Sequence, residues 1–174
     1  MDLAWLKDHV RDVPDFPQPG IVFKDISLLL GDAEAFGACV DTLAESFADA
    51  GVEKVVGIEA RGFILAAPVA YRFGAGFVPV RKAGKLPWKV DAEEYVLEYG
   101  TGRLEVHADA VRPGERVLIV DDVLATGGTA AATVRLLERA GATVAGMAVI
   151  IELAFLGGRA KLEGRELVSL ITYG

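Results

Sequence analysis

The sequence contains no asparagine, one glutamine, one cysteine and two histidines among its 174 residues. A single cysteine excludes an internal disulfide framework and a cysteine-rich metal site. Cys39 has Phe36, Val40 and Leu43 as apolar neighbours at helical spacing, so it reads as a small core residue. His9 and His107 lie far apart in the chain, which argues against a histidine metal cluster. Long apolar runs are also missing. The longest, residues 144–151, is far short of the ~20 residues a membrane helix needs. The start, MDLAWLKDHVRDVPDFP, carries no basic region followed by an apolar run, so no secretory signal is expected and the cytoplasm is the default location. Basic charge is short too, with 18 Lys and Arg against 25 Asp and Glu. The net charge of -7 argues against a general nucleic-acid or anionic-membrane binder. A small anionic substrate stays open, because a site needs only local positive charge.

What is present is an ordinary globular composition, 52% hydrophobic and 25% charged, enough for one domain over residues 1–174. Residues 3–10 read as a short amphipathic helix, and the proline-rich stretch 14–20 as irregular chain. Phe36, Val40, Leu43 and Phe47 share one face of a helix over 34–50, closed by Gly51. Strands are then expected at 55–58, 77–80, 116–120, 143–151 and 167–171, with helices at 62–73 and 129–140. The strand runs are continuously apolar, as in strands covered on both faces. Their alternation with helices predicts an α/β fold: a parallel sheet flanked by helices. Residues 82–107 break this rhythm and read as an extended hairpin standing off the sheet, in the manner of a lid.

The stretch RVLIVDDVLATGGT, residues 116–129, combines two features. A small-residue turn leading into a helix presents backbone N–H groups at the positive end of the helix dipole, where a phosphate fits. Glycines 127 and 128 allow close approach, and Thr126 and Thr129 add hydroxyls. The carboxylates of Asp121 and Asp122 suit ribose hydroxyls or the waters of Mg²⁺. Together they point to one ligand with a phosphate and a diol, a ribose 5-phosphate. An ATPase reading of VLIVDD fails for want of a G-x-x-x-x-G-K-[ST] loop, and a Rossmann reading for want of G-x-G-x-x-G after a strand. A strand ending in a solvated acidic turn is the remaining alternative.

Other segments bear on that choice. FPQPGIVFKDIS, GIEARGF, VPVRKAGKLP, LEYGTGRLEVH and SLITY, with VLIVDDVLATGGT, resemble in order the blocks of the adenine phosphoribosyltransferases, within the type I phosphoribosyltransferase family. The resemblance covers nearly the whole chain. It implies the transfer of a phosphoribosyl group from phosphoribosyl pyrophosphate to adenine with Mg²⁺, giving AMP and pyrophosphate in purine salvage. A related enzyme acting on hypoxanthine, guanine or xanthine, and a non-catalytic purine sensor, are the alternatives. The implied architecture has a small N-terminal hood, mainly residues 1–33, and a flexible hairpin lid, about 82–107.

The resemblance also distributes roles. Asp121 and Asp122 become the ribose acids, with Mg²⁺ held mainly by the substrate. Ala125, Thr126, Gly127, Gly128 and Thr129 become the cradle of the 5-phosphate. Glu59, Ala60, Arg61 and Gly62 become the pyrophosphate loop, with Arg61 also near the base. Arg81, Lys82 and Lys85 offset pyrophosphate charge, and a basic residue of this block reaching a neighbouring subunit implies a homodimer. Phe23 would stack on adenine while the backbone of Val22 and Lys24 reads its edge. Glu98 would manage the purine proton, an acid–base role worth roughly 10²–10⁴ in rate, with Tyr99 positioning it.

Overall fold

The computed structural model describes residues 3–97 and 100–174. The chain opens with a 3-10 turn, Ala4–His9, where an amphipathic helix was expected, and its Leu6 is fully buried. Two short strands follow, β1 (Arg11–Pro14) and β2 (Val22–Asp25), paired antiparallel with Val13 opposite Phe23. The proline-rich loop between them is irregular, and its Phe16–Pro17 bond is cis. After α1 (Ser27–Gly31), Asp32 starts α2 (Ala33–Glu45) by accepting hydrogen bonds from the Glu34 and Ala35 amides at 3.0 and 2.8 Å. The helix ends before the expected Ala50. Beyond Ser46 the amides reach only three residues back, Phe47 to Ala44 and Ala48 to Glu45, and these tighter turns accompany a buried Phe47.

The remaining elements alternate. They are β3 (Lys54–Ile58), α3 (Arg61–Phe73), β4 (Gly76–Lys82), the hairpin β5 (Val90–Val96) and β6 (Thr101–His107), then β7 (Arg116–Leu124), α4 (Gly128–Arg139), β8 (Thr143–Leu153) and β9 (Leu167–Tyr173). One seven-stranded sheet has the order β5-β6-β4-β3-β7-β8-β9. From β4 to β9 every neighbouring pair is parallel. The expected parallel sheet flanked by helices is present, whereas the expectation of a hairpin standing off the sheet needs correction. β6 pairs antiparallel with β4 through Arg81–Glu105 and Lys82–Leu104, so the hairpin extends the sheet rather than leaving it.

Side-chain alternation along β7 divides the interior in two. Leu118 and Val120 face a core built with α2 and α3, whereas Val117 and Ile119 join a second core with α4. All four are fully buried, which explains why the run is apolar without interruption. Among the described residues no helix is long and apolar enough to cross a membrane.

Candidate active site

β3 and β7 share their last register pair at Gly57 and Val120, but β7 runs on to Leu124 beside β8. The strand was expected to stop at Val120. Pairing of Asp121 with Val149 and of Val123 with Ile151 keeps the two acids in extended chain. On the other side the backbone leaves β3 at Glu59 and turns into α3, with the Glu59–Ala60 peptide cis. A cavity of about 980 Å³ opens there, at the carboxyl ends of the strands, within the range of small-molecule sites. Its walls are residues 59–61, Lys82, residues 121–129 and, from the hairpin, Tyr95, Leu97 and residues 101–104.

The end of the cavity at α4 follows from local backbone. Gly127 adopts φ 77° and precedes α4, which no side chain caps. The amides of the first turn therefore have no intrahelical acceptor and carry the positive end of the dipole. Any Cβ on Gly127 would stand 2.5 Å from the Gly158 carbonyl oxygen, so the loop is held against a second glycine turn. Gly62 is required for a different closeness. A Cβ there would stand 2.8 Å from Asp121 Oδ1 and 3.0 Å from the Val120 carbonyl oxygen. The start of α3 can approach the end of β7 only without a side chain.

The two acids differ. Burial, then the charge of Asp122, push the Asp121 carboxyl well above the usual range, although its Oδ1 accepts from the Asp122 amide at 2.9 Å. Asp122 is 7% exposed and meets Arg61 Nε at 2.5 Å. The same guanidinium lies 4.9 Å from the centroid of the Phe23 ring, which itself makes an edge contact with Phe16. Arg61 thus joins the acids to Phe23 of β2. A ligand reaching Asp122 must take over part of what this ion pair now satisfies.

Glu59 lines the cavity, and its carboxylate is taken up by the basic segment beside it. Its carboxylate accepts from the Lys82 amide at 2.9 Å and from Lys85 Nζ, and lies 3.5 Å from Arg81 Nε. Burial opposes ionisation there, but the bonds from Lys85, Lys82 and Arg81 win and bring the carboxyl down to about 2. The basic cluster is therefore ordered by an acid of the neighbouring loop.

Of the expected residues, Glu59, Ala60, Arg61, Lys82, Asp121, Asp122 and Ala125 to Thr129 line one cavity, with Gly62 packed beneath. Arg81 and Lys85 connect to it through Glu59. Phe23 connects through Arg61, whereas the Lys24 ammonium turns away to Asp12 at 2.6 Å and to the Tyr173 ring. Val22 is exposed on β2. Glu98 and Tyr99 lie outside the described residues. Tyr95, Met147 and the Gly157–Gly158 turn also belong to this region and were not among the expected residues. Only the paired glycines carried a sequence signal. Tyr95 and Met147 reach the cavity through strand pairing alone.

Similarity to known proteins agrees with this arrangement. Residues 30–169 match the phosphoribosyl transferase domain. An adenine phosphoribosyltransferase of Thermobifida fusca is 60% identical over 172 residues, 98% of each chain. The crystal structure of the adenine phosphoribosyltransferase from Rhodothermus marinus superposes with a TM-score of 0.95 at 53% identity, covering 99% of this chain and 98% of that one. The Saccharomyces cerevisiae adenine phosphoribosyltransferase, solved with adenine and an imino-altritol bisphosphate, gives 0.91 at 38% identity, with 97% of each chain covered. A helix N-terminus free to take phosphate, two acids at the end of the adjoining strand and likeness along almost the full length have one common explanation: the chain belongs to the phosphoribosyltransferase family, alongside the adenine phosphoribosyltransferases.

Proposed function

We propose that the chain salvages adenine, transferring the 5-phosphoribosyl group of phosphoribosyl pyrophosphate to N9 and releasing AMP and pyrophosphate. The observation that carries this reading is the single cavity in which the uncapped start of α4 and the carboxylates of Asp121 and Asp122 stand side by side. The amides of residues 125–129 take the 5-phosphate, and the two acids accept from the ribose hydroxyls. Arg61 leaves Asp122 as the sugar arrives and keeps its place between sugar and base. Phe23 offers an aromatic face for the purine, and its contact with Arg61, which lines the cavity, supports that role. Lys82 of the basic cluster and residues 60 and 61, which line the cavity, take the pyrophosphate in this reading.

The acid pair suits Mg²⁺ carried mainly by substrate oxygens. Asp122 Oδ2 is buried without a well-aligned hydrogen bond, yet two adjacent carboxylates fall short of an all-protein cage. When bound, the ion would offset pyrophosphate charge. Glu98 accepts the purine proton as N9 bonds to the sugar carbon, and Tyr99 orients it. The hairpin closes over a reacting centre with oxocarbenium character and keeps water from capturing it. A homodimer, with a basic residue of one subunit near its neighbour's site, and residence in the cytoplasm complete the proposal.

The experiment is an assay of the purified protein with phosphoribosyl pyrophosphate, Mg²⁺ and each of adenine, hypoxanthine, guanine and xanthine. AMP is the expected product. No nucleotide above background refutes the transferase, and a preference for hypoxanthine refutes the adenine assignment. Sedimentation at micromolar concentration tests the dimer.

A further inference from the structure

An ion-pair network outside the cavity stands directly behind the phosphate loop. Glu152 is 4% exposed and pairs in register with Leu124, the residue before the loop begins. Its carboxylate receives a two-pronged contact from Arg159, Nε to Oε1 at 2.8 Å and Nη2 to Oε2 at 2.5 Å. Ser169 Oγ of β9 donates to the same Oε2 at 2.8 Å, and Arg159 Nη1 donates to the Leu167 carbonyl at 3.3 Å. Arg159 lies in the 3-10 turn Gly158–Leu162, whose far end is fixed by buried Leu162. Its near end, Gly158, touches the loop. A Cβ there would overlap the Ala125 carbonyl oxygen and stand 2.9 Å from the Gly127 amide nitrogen.

Only the Glu152 end of this pair is buried, since the Arg159 side chain is 52% exposed, and an ion pair open to solvent on one side is a poor source of stability. Its distinctive product is direction, since a planar guanidinium gripped at two oxygens has one orientation. We propose that Glu152, Arg159 and Ser169 are positioning residues for phosphoribosyl pyrophosphate. They hold the Gly157–Gly158 turn against the Ala125–Gly127 backbone and thereby fix the amides that grip the 5-phosphate. The inference rests on residues 125–129 being that phosphate cradle. None of the three side chains belongs to the cavity lining.

The test compares Arg159→Ala, Arg159→Lys, Glu152→Gln and Ser169→Ala with the unaltered protein. Readouts are KM for phosphoribosyl pyrophosphate, KM for adenine, the Kd of AMP by calorimetry and the thermal midpoint. Arg159→Ala raises KM for phosphoribosyl pyrophosphate and the Kd of AMP by roughly 10- to 100-fold, the scale of an ångström-sized misplacement. The KM for adenine stays within a factor of about two, because that change reaches only one end of the site. Arg159→Lys recovers part of the loss, and Ser169→Ala shows a smaller rise with little change in thermal midpoint. Should Arg159→Ala not fold, the lysine and alanine variants at 159 and 169 decide. Equal rises for both substrates, or a lowered thermal midpoint with unchanged phosphoribosyl pyrophosphate constants, overturn the proposal. Thr126→Ala, within the cradle, separates the two levels of inference. If it weakens phosphoribosyl pyrophosphate and the network variants do not, the bracing role alone fails. If none of them does, the cradle assignment fails with it.

Discussion

Asp121 and Asp122 are adjacent in sequence and unlike in circumstance. Asp121 is pressed beneath Gly62 with its carboxyl raised by burial and by its neighbour, and Asp122 is held by Arg61. The residue types were legible in VLIVDD, but the partner of each was not, because Arg61 lies on another element. The same holds for Glu59. Its place in GIEARGF suggested a loop around pyrophosphate, and its carboxylate accepts from the Lys82 amide and the Lys85 ammonium of the next segment. For Glu98, Ala substitution is expected to lower kcat by about 10²–10⁴ while phosphoribosyl pyrophosphate still binds. Calorimetry beside steady-state kinetics checks this, and lost binding with unchanged turnover per bound substrate would defeat the role. Cys39 is fully buried, and burial pushes its thiol up to about 12. It should resist a thiol reagent in the native protein and react fully in denaturant, as a colorimetric titration would show.

Elements add what single residues lack. α2 is set by its Asp32 cap, so Asp32→Ala should cost about 1 kcal/mol, lowering the thermal midpoint by roughly 2–4 °C without altering KM. The hairpin is tied to α4 by Glu93, which takes Arg135 Nε at 2.8 Å and also pairs with Arg139. The helix that begins at the Gly127 turn therefore carries the anchor of the hairpin toward its other end. Glu93→Gln should loosen that tie and raise the release of pyrophosphate in the absence of adenine, relative to transfer. A phosphate-release assay with coupled pyrophosphatase measures it, and an unchanged ratio would separate the hairpin from water exclusion. Local pattern located this hairpin but not its sheet neighbour. Joining β6 to β4 depends on the register of Arg81 with Glu105, a pairing distant in sequence.

At the scale of the molecule, charge sets the acid limit. Glu59, Glu93, Glu115 and Glu152 all have carboxyls below their usual range: Glu59 against burial, held by Lys85, Lys82 and Arg81, and the others chiefly through arginine, lysine or backbone donors. The unfolded chain takes up their protons first as pH falls. Their stabilisation is complete above the unfolded value of 4.5 and is lost on the way down, for Glu59 toward 2. Asp121 acts in the opposite sense, since its raised carboxyl favours the folded state while protonated. The urea midpoint should therefore drop between pH 5 and pH 3, and Glu59→Gln should flatten that slope. Its share is on the order of 1–2 kcal/mol, because the Lys85 end of the pair is open to solvent. A slope identical to that of the unaltered protein would remove Glu59 from the account.

From β3 onward the order of strands and helices, the two-sided burial of β7 and the glycine turn before α4 were determined by sequence alone, because each depends on neighbours within a few positions: apolar runs and a pair of glycines. Tertiary structure decided which side of the sheet received the hairpin, how far β7 extended past β3, and which cation answered which acid. Those outcomes turn on contacts between segments far apart in the chain, and no local pattern encodes the partner that arrives from elsewhere.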